Sequence, residues 1–225
     1  MDALRSRLRR IVAQRMEQDP AHDLAHLDRV WTNAHRIARN ENGSNSDADL
    51  RVLMAAAYLH DLVNLPKDAP NRAEASTLSA QQAEPILREL GFSDPEIKAT
   101  QHAIAAHSFS AGIPAQSAEA HILRDADRLD ALGAIGIART FIVAGSMGRA
   151  VYDPADPFAA ARDLDDQSWS IDHWHLKLLQ LPGEMVTTKG REIAEKRARL
   201  MLAYLEQLAK EIDTDLPQHW VDLLT

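Results

Sequence analysis

Apolar residues recur every three to four positions along most of this chain, and interruptions in that rhythm mark where one helix stops and the next begins. Leu4, Leu8, Ile11, Val12 and Met16 line one face of a helix over 3–18, which Asp19-Pro20 ends. A second helix over 23–40 turns Leu27, Val30, Ala34, Ile37 and Ala38 inward, ahead of a polar loop at 41–46. Asp47 is the expected cap of a third helix. That helix carries Leu50, Leu53, Met54 and Ala57 inward, with His60-Asp61 one turn on. Two prolines make 65–72 an irregular loop; a fourth helix then spans 73–90 and stops at Gly91. Ser93-Asp94-Pro95-Glu96 has the spacing of a capping box, so a fifth helix starts there and runs to His107.

After a loop at 108–116, the spacing predicts a sixth helix over 118–131 and a seventh reaching 147, interrupted by Gly133 and Gly136. Residues 148–168 hold Pro154, Pro157 and the aspartates 153, 156, 163, 165 and 166, and read as a long excursion with one short helix or a minor hairpin. A helix over 170–180 should stop at Pro182-Gly183. The last long helix covers 187–211, with Ile193, Leu200, Met201, Tyr204 and Leu208 on one face, and Pro217 opens a short terminal helix. No segment alternates as a half-buried strand would, and no repeat recurs at a solenoid period. The expectation is an all-α fold in a single domain over 1–225. Its motif-bearing part is 20–140, and the helices of 170–225 pack on it.

Composition narrows the function classes. A chain of 225 residues with 45% apolar positions can bury a sizeable core. The net charge of −8 argues against a nucleic-acid partner, though one pocket holding a cation can still take an anionic substrate. With no cysteine, disulfides and thiolate metal sites are excluded, and any metal must take nitrogen or oxygen ligands. No stretch approaches the ~18 apolar residues of a membrane span, and the first residues do not resemble a signal peptide. A cytoplasmic protein with no membrane partner is expected, as monomer or homodimer.

The chemistry lies in a few polar residues on apolar faces. His60 and Asp61 end the helix that carries Ala55-Ala56-Ala57-Tyr58-Leu59. A carboxylate buried there needs a salt-bridge partner or a metal, and an imidazole needs a backbone carbonyl or the same metal. His26 lies one turn before Val30, and Asp127 follows Leu123 by four, so both also sit on inner faces. Asp125 is two residues from Asp127, about 200° around a helix, so the two cannot face one site. Two imidazoles and two carboxylates suit one divalent ion: Mn, Fe, Co, Ni, Zn or Mg. His22-Asp23-Leu24-Ala25-His26 mimics the zinc-protease helix with histidines four apart, but that chemistry needs a glutamate where Asp23 stands.

The order His…His-Asp…Asp resembles the signature of the HD-domain superfamily of metal-dependent phosphohydrolases. Further stretches resemble one stand-alone bacterial branch of it: Ala25-His26-Leu27-Asp28-Arg29-Val30, Tyr58-Leu59-His60-Asp61, the segments 104–110 and 125–139, and His173-Trp174-His175-Leu176-Lys177. The resemblance implies an all-helical fold with His26, His60, Asp61 and Asp127 as metal ligands. It also implies attack of metal-activated water on the phosphorus of a nucleotide or a related small phosphate ester or anhydride. A phosphodiesterase and a catalytically weak nucleotide-binding sensor are the alternatives. Some nucleotidases of the superfamily place a catalytic glutamate where this chain has Asn64, which cannot exchange a proton at neutral pH. Either the metal activates water unaided, or His107 or Asp130 assists Asp61 in catalysis. His107 is also a candidate ligand of a second metal, whereas His102 is read as structural. Asn64, Lys67, Arg72, Arg128, Arg139, Lys177 and His22 are the candidate substrate contacts.

Overall fold

The computed structural model describes residues 1–15, 23–39, 47–65, 71–108 and 110–224. Met16, the break at Asp19-Pro20, His22, the loop at 41–46, and Lys67 with its flanking prolines lie outside the described residues. The chain forms two compact units, Met1–Asp127 and Arg128–Thr225. Among the described residues there is no β-strand, as expected of an all-α protein; one isolated parallel bridge joins Ala150 and Trp169.

The first unit contains α1 (Asp2–Arg15), α2 (Leu24–Ala38), α3 (Leu50–Leu59), α4 (Ala75–Glu89), α5 (Asp94–His107) and most of α6 (Ala118–Arg128). α3 is its centre. Every residue from Val52 to Leu59 is buried, and α3 packs against α1, α2, α4 and α5. The run Ala55-Ala56-Ala57 lets those neighbours approach closely, while Leu53 and Met54 fill the remaining space. Caps fix where these helices begin. Asp23 accepts from His26 N at 2.7 Å at the start of α2, and Glu96 reaches back to Ser93 N at 2.7 Å at the start of α5. The cap of α3 is Asp49, not Asp47: its carboxylate accepts from Arg51 N (2.7 Å) and Val52 N (3.3 Å). Asp47 stands too far before the first turn to reach those orphan amides. Helix α4 is preceded by a 3-10 turn at Arg72–Glu74, and beyond its end Gly91 takes the left-handed conformation (φ 75°).

The second unit contains α7 (Gly133–Ser146), α8 (Asp172–Leu176), α9 (Leu181–Glu184), α10 (Thr188–Glu211) and α11 (Gln218–Val221). Four expectations change here. Helix α6 ends at Arg128, and Leu129–Ala131 is a 3-10 turn. Gly133 (φ 72°) opens α7 instead of interrupting it, and Gly136 sits where a Cβ would lie 2.2 Å from the Ala131 carbonyl oxygen. Pro182-Gly183 lies within α9, because a proline is tolerated in a first helical turn. The buried face of α10 is Gly190, Ala194, Ala198, Met201, Leu205 and Ala209, whereas Leu200 and Tyr204 are exposed.

The excursion at 148–168 holds turns and bends with no helix. Two of its aspartates cap local turns. Asp156 accepts from the amides of Ala160, Ala161 and Arg162, and Asp165 from those of Gln167 and Ser168. Arg162 grips the fully buried Asp172 through both terminal nitrogens (2.5 and 2.9 Å). Trp220, also fully buried, donates its indole N–H to Phe158 O at 2.8 Å.

Candidate metal centre

Helix ends bring the chemistry together. His26 occupies the first turn of α2, His60 follows the last residue of α3, Asp61 lies in the turn beyond it, and His107 ends α5. Asp127 stands in the last turn of α6. His26 Nε2 lies 3.6 Å from Asp61 Oδ2 and 3.4 Å from Asp127 Oδ1. His60 Nε2 lies 3.4 Å from Asp61 Oδ2 and 3.7 Å from Asp127 Oδ1. These gaps are long for hydrogen bonds. They match the spacing of atoms that share one ion, since bonds of about 2.0–2.2 Å place neighbouring ligand atoms about 3–3.5 Å apart.

The tautomer of His60 points the same way. Its Nδ1 lies 3.0 Å from Ala57 O, and a carbonyl only accepts, so Nδ1 carries the proton. In the neutral imidazole that leaves Nε2 with its lone pair in the site, buried and without a hydrogen-bond partner among the described residues. Ligating histidines are commonly oriented through the other ring nitrogen in this way. His107 repeats the arrangement: its Nδ1 donates to Ile104 O at 2.6 Å, and its Nε2 stands 3.9 Å from Asp61 Oδ1. The His60 and His107 rings meet edge to face, with centroids 4.8 Å apart. His26, His60 and Asp127 form one group that could hold a divalent ion, and His60, Asp61 and His107 a second that shares His60.

Charge is balanced within the cluster. Burial works against a charged His60, but Asp61 and Asp127 outweigh it and raise its proton affinity. Burial also opposes ionisation of Asp61 and Asp127, yet the surrounding imidazoles hold both carboxyls below the usual range. His107 is pushed down, first by burial and then by the positive charge His60 can carry. Two ionised carboxylates beside imidazoles that offer lone pairs are a hard-to-borderline donor set, fit for a divalent cation.

The remaining candidates divide by unit. Asn64 lies just past the His-Asp turn, where its Oδ1 accepts from Arg72 Nη1 at 3.2 Å; Arg72 also donates to Leu65 O. Asp125 is wholly buried. His102 accepts from Gln116 N at 3.1 Å, the structural role expected of it. In the second unit Asp130 is buried and paired with Arg139, on a 3-10 turn. Arg128 pairs with Glu184 at 3.1 Å and Lys177 with Asp166 at 2.9 Å. Phosphate contact by Arg128, Arg139 or Lys177 would first have to displace a carboxylate.

Two features are visible only in the structure. Asp23, the acidic residue of the protease-like motif, is spent on capping α2. Asp28 and Tyr58 form a hydrogen-bonded link between α2 and α3, with Arg5 and Arg9 of α1 joined to it. A charged residue two positions past His26, and arginines four apart on α1, were the only available signals. Burial raises the Tyr58 phenol, with Asp28 adding to it, to about 12.

Residues 23–132 match the family model of the HD domain. The chain is 34% identical over 200 residues to the protein YpgQ of Bacillus subtilis, covering 87% of each. The crystal structure of YpgQ in complex with ADP superposes with a TM-score of 0.70, over 92% of this chain and 97% of that one. The crystal structure of an HD-superfamily hydrolase from Bacillus thuringiensis, 32% identical, gives a TM-score of 0.71 over 95% and 99% of the two chains. Among the described residues, no single helix is long and apolar enough to cross a membrane.

Proposed function

The chain belongs to the HD-domain superfamily of hydrolases, and from that premise we propose that it is a metal-dependent phosphohydrolase acting on nucleotides. The observation that carries the proposal is the His60 imidazole. Its Nδ1 is committed to Ala57 O, and its buried Nε2 faces two carboxylates across gaps of 3.4 and 3.7 Å. His26, His60, Asp61 and Asp127 would hold the ion. Bound there, a divalent cation supplies Lewis acidity, lowering the pKa of a bound water toward ~7 and neutralising phosphate oxygens.

The protein's own groups do the rest. Asp61 and Asp127, both held below the usual carboxyl range, would keep negative charge for the cation. His107 keeps its Nδ1 proton on Ile104 O, and a depressed pKa leaves Nε2 able to accept a proton from the attacking water. Asn64 cannot take that role and would orient water or substrate instead. Arg72, beside it, is the described cation best placed along the chain to meet a phosphate, and Lys67 is a second candidate in sequence. The nucleotide class is supported by the ADP in the YpgQ crystal structure.

The test is a screen for released phosphate and pyrophosphate over nucleoside mono-, di- and triphosphates, with bis(p-nitrophenyl) phosphate as a diester probe. It is run after chelation and again with Mn, Co, Zn or Mg restored. Release from a nucleotide that needs the added ion is expected. Turnover of the diester alone would make the protein a phosphodiesterase. Nucleotide binding without release, in metal-loaded protein, would make it a sensor.

A further inference from the structure

Helix α1 lies before the stretch that matches the HD domain, yet it reaches the two helices that carry His26 and His60. Tyr58 OH donates to Asp28 Oδ1 at 2.6 Å, tying α3 to α2. Arg5 closes a triangle on that bond: its Nε donates to Tyr58 OH at 2.8 Å and its Nη2 to Asp28 Oδ1 at 3.1 Å. Arg9 Nε takes the second carboxylate oxygen at 3.1 Å. The phenol thus donates once and accepts once, and the carboxylate receives four hydrogen bonds or ion contacts in all.

The position of this link matters more than its strength. Asp28 is two residues past His26, and Tyr58 two residues before His60. Two residues turn a helix by about 200°, so each partner lies behind the helix face that presents its histidine. The link therefore fixes α2 and α3 in register and rotation from the back, while the imidazoles, with centroids 5.5 Å apart, face each other at the front. Metal–ligand distances tolerate only about ±0.2 Å, and a slip of one residue along a helix is about 1.5 Å. Buried Leu53, Val30 and Leu27 hold the helices together, but apolar contacts have little directionality and do not by themselves set register to that precision.

We propose that Arg5, Asp28 and Tyr58 are positioning residues for the metal centre, so that α1 is a working part of the site and not an appendage. The inference rests on the metal-site reading above. It is tested with Tyr58→Phe, which removes the link at nearly constant volume, and with Arg5→Met, which leaves the Tyr58–Asp28 bond and the Arg9 contact and removes the α1 side chain that touches both partners. Each full-length protein, stripped of metal, is titrated with Co(II) while its visible absorption bands are recorded, and the helical circular dichroism and thermal midpoint of the stripped protein are followed alongside.

Both variants are expected to hold Co(II) about tenfold more weakly, the lower end of what supporting groups around metal ligands contribute. Their absorption bands should shift while helical content stays that of wild type. Variants with the wild-type affinity and spectrum, and only a lowered midpoint, would show the network to be purely structural and overturn the proposal. A wild-type protein that takes up no Co(II) would bring down the metal-site reading itself and this inference with it.

Discussion

Ser79→Ala should loosen the turn that carries Asp61 without touching any candidate ligand. Ser79 is fully buried on α4, and its hydroxyl accepts from Val63 N at 3.0 Å. Alanine removes the acceptor and leaves that half-buried amide without its partner. A buried donor without a partner costs about 1–3 kcal/mol, and the same substitution also removes the long contact of the hydroxyl to Val63 O at 3.5 Å. In a chain of this size, a central value of about 2 kcal/mol corresponds to a fall in thermal midpoint of roughly 4–8 °C. The effect should also be local: native-state hydrogen exchange at the Val63 amide should speed up by about tenfold or more, while amides in the middle of α3 change only with the global stability. An unchanged Val63 exchange rate, whatever the midpoint does, would refute the claim that this hydroxyl pins the turn.

His60→Ala and Asp61→Ala should each abolish phosphate release while circular dichroism stays near wild type, because Leu53, Met54 and Ala57 still bury α3; full turnover in either would end the mechanism proposed here. Gly136→Ala places a Cβ 2.2 Å from the Ala131 carbonyl oxygen and should cost at least about 2 kcal/mol in urea unfolding, despite alanine's better helix propensity. Asp166 gives a pH prediction: burial raises its carboxyl, but hydrogen bonds from His173 and Lys177 outweigh that and hold it at about 2. With the unfolded value at ~3.9, its contribution is present above that pH and is lost as pH falls through about 2, so Asp166→Asn should flatten that part of the acid-unfolding curve.

What could be read from the sequence was mostly what is decided locally. The capping pattern at Ser93–Glu96, the stop at Gly91 and the helix after Pro217 depend on neighbours within a turn, and all three appear in the structure. The buried face of α10 differs in part from the one its bulky residues predict, because bulk is not burial. Its packed stripe is the alanines 194, 198 and 209 with Met201 and Leu205, which let neighbours come close, while Leu200 and Tyr204 stay at the rim. Tyr204 is held there by ring contacts with Phe141 and Trp174, which no single-helix pattern reveals.

The candidate site divides along the same line. His26, His60, Asp61 and Asp127 stood out because each is a polar group on an apolar helical face, and the fold brings them within one cluster. Asp28, Tyr58 and Arg5 did not stand out, since a surface-like aspartate, a core-like tyrosine and an N-terminal arginine are each ordinary alone. Only the packing of α1, α2 and α3 makes them one network.

The central claim is that His26, His60, Asp61 and Asp127 together hold one divalent ion. Metal-replete protein, dialysed free of loosely bound ions, is to be assayed for metal per chain by elemental analysis, with His60→Ala treated identically. The account predicts close to one tightly held divalent ion per wild-type chain and a near-complete loss of it in the variant. An empty wild-type protein, or a variant that retains the ion in full, would contradict it.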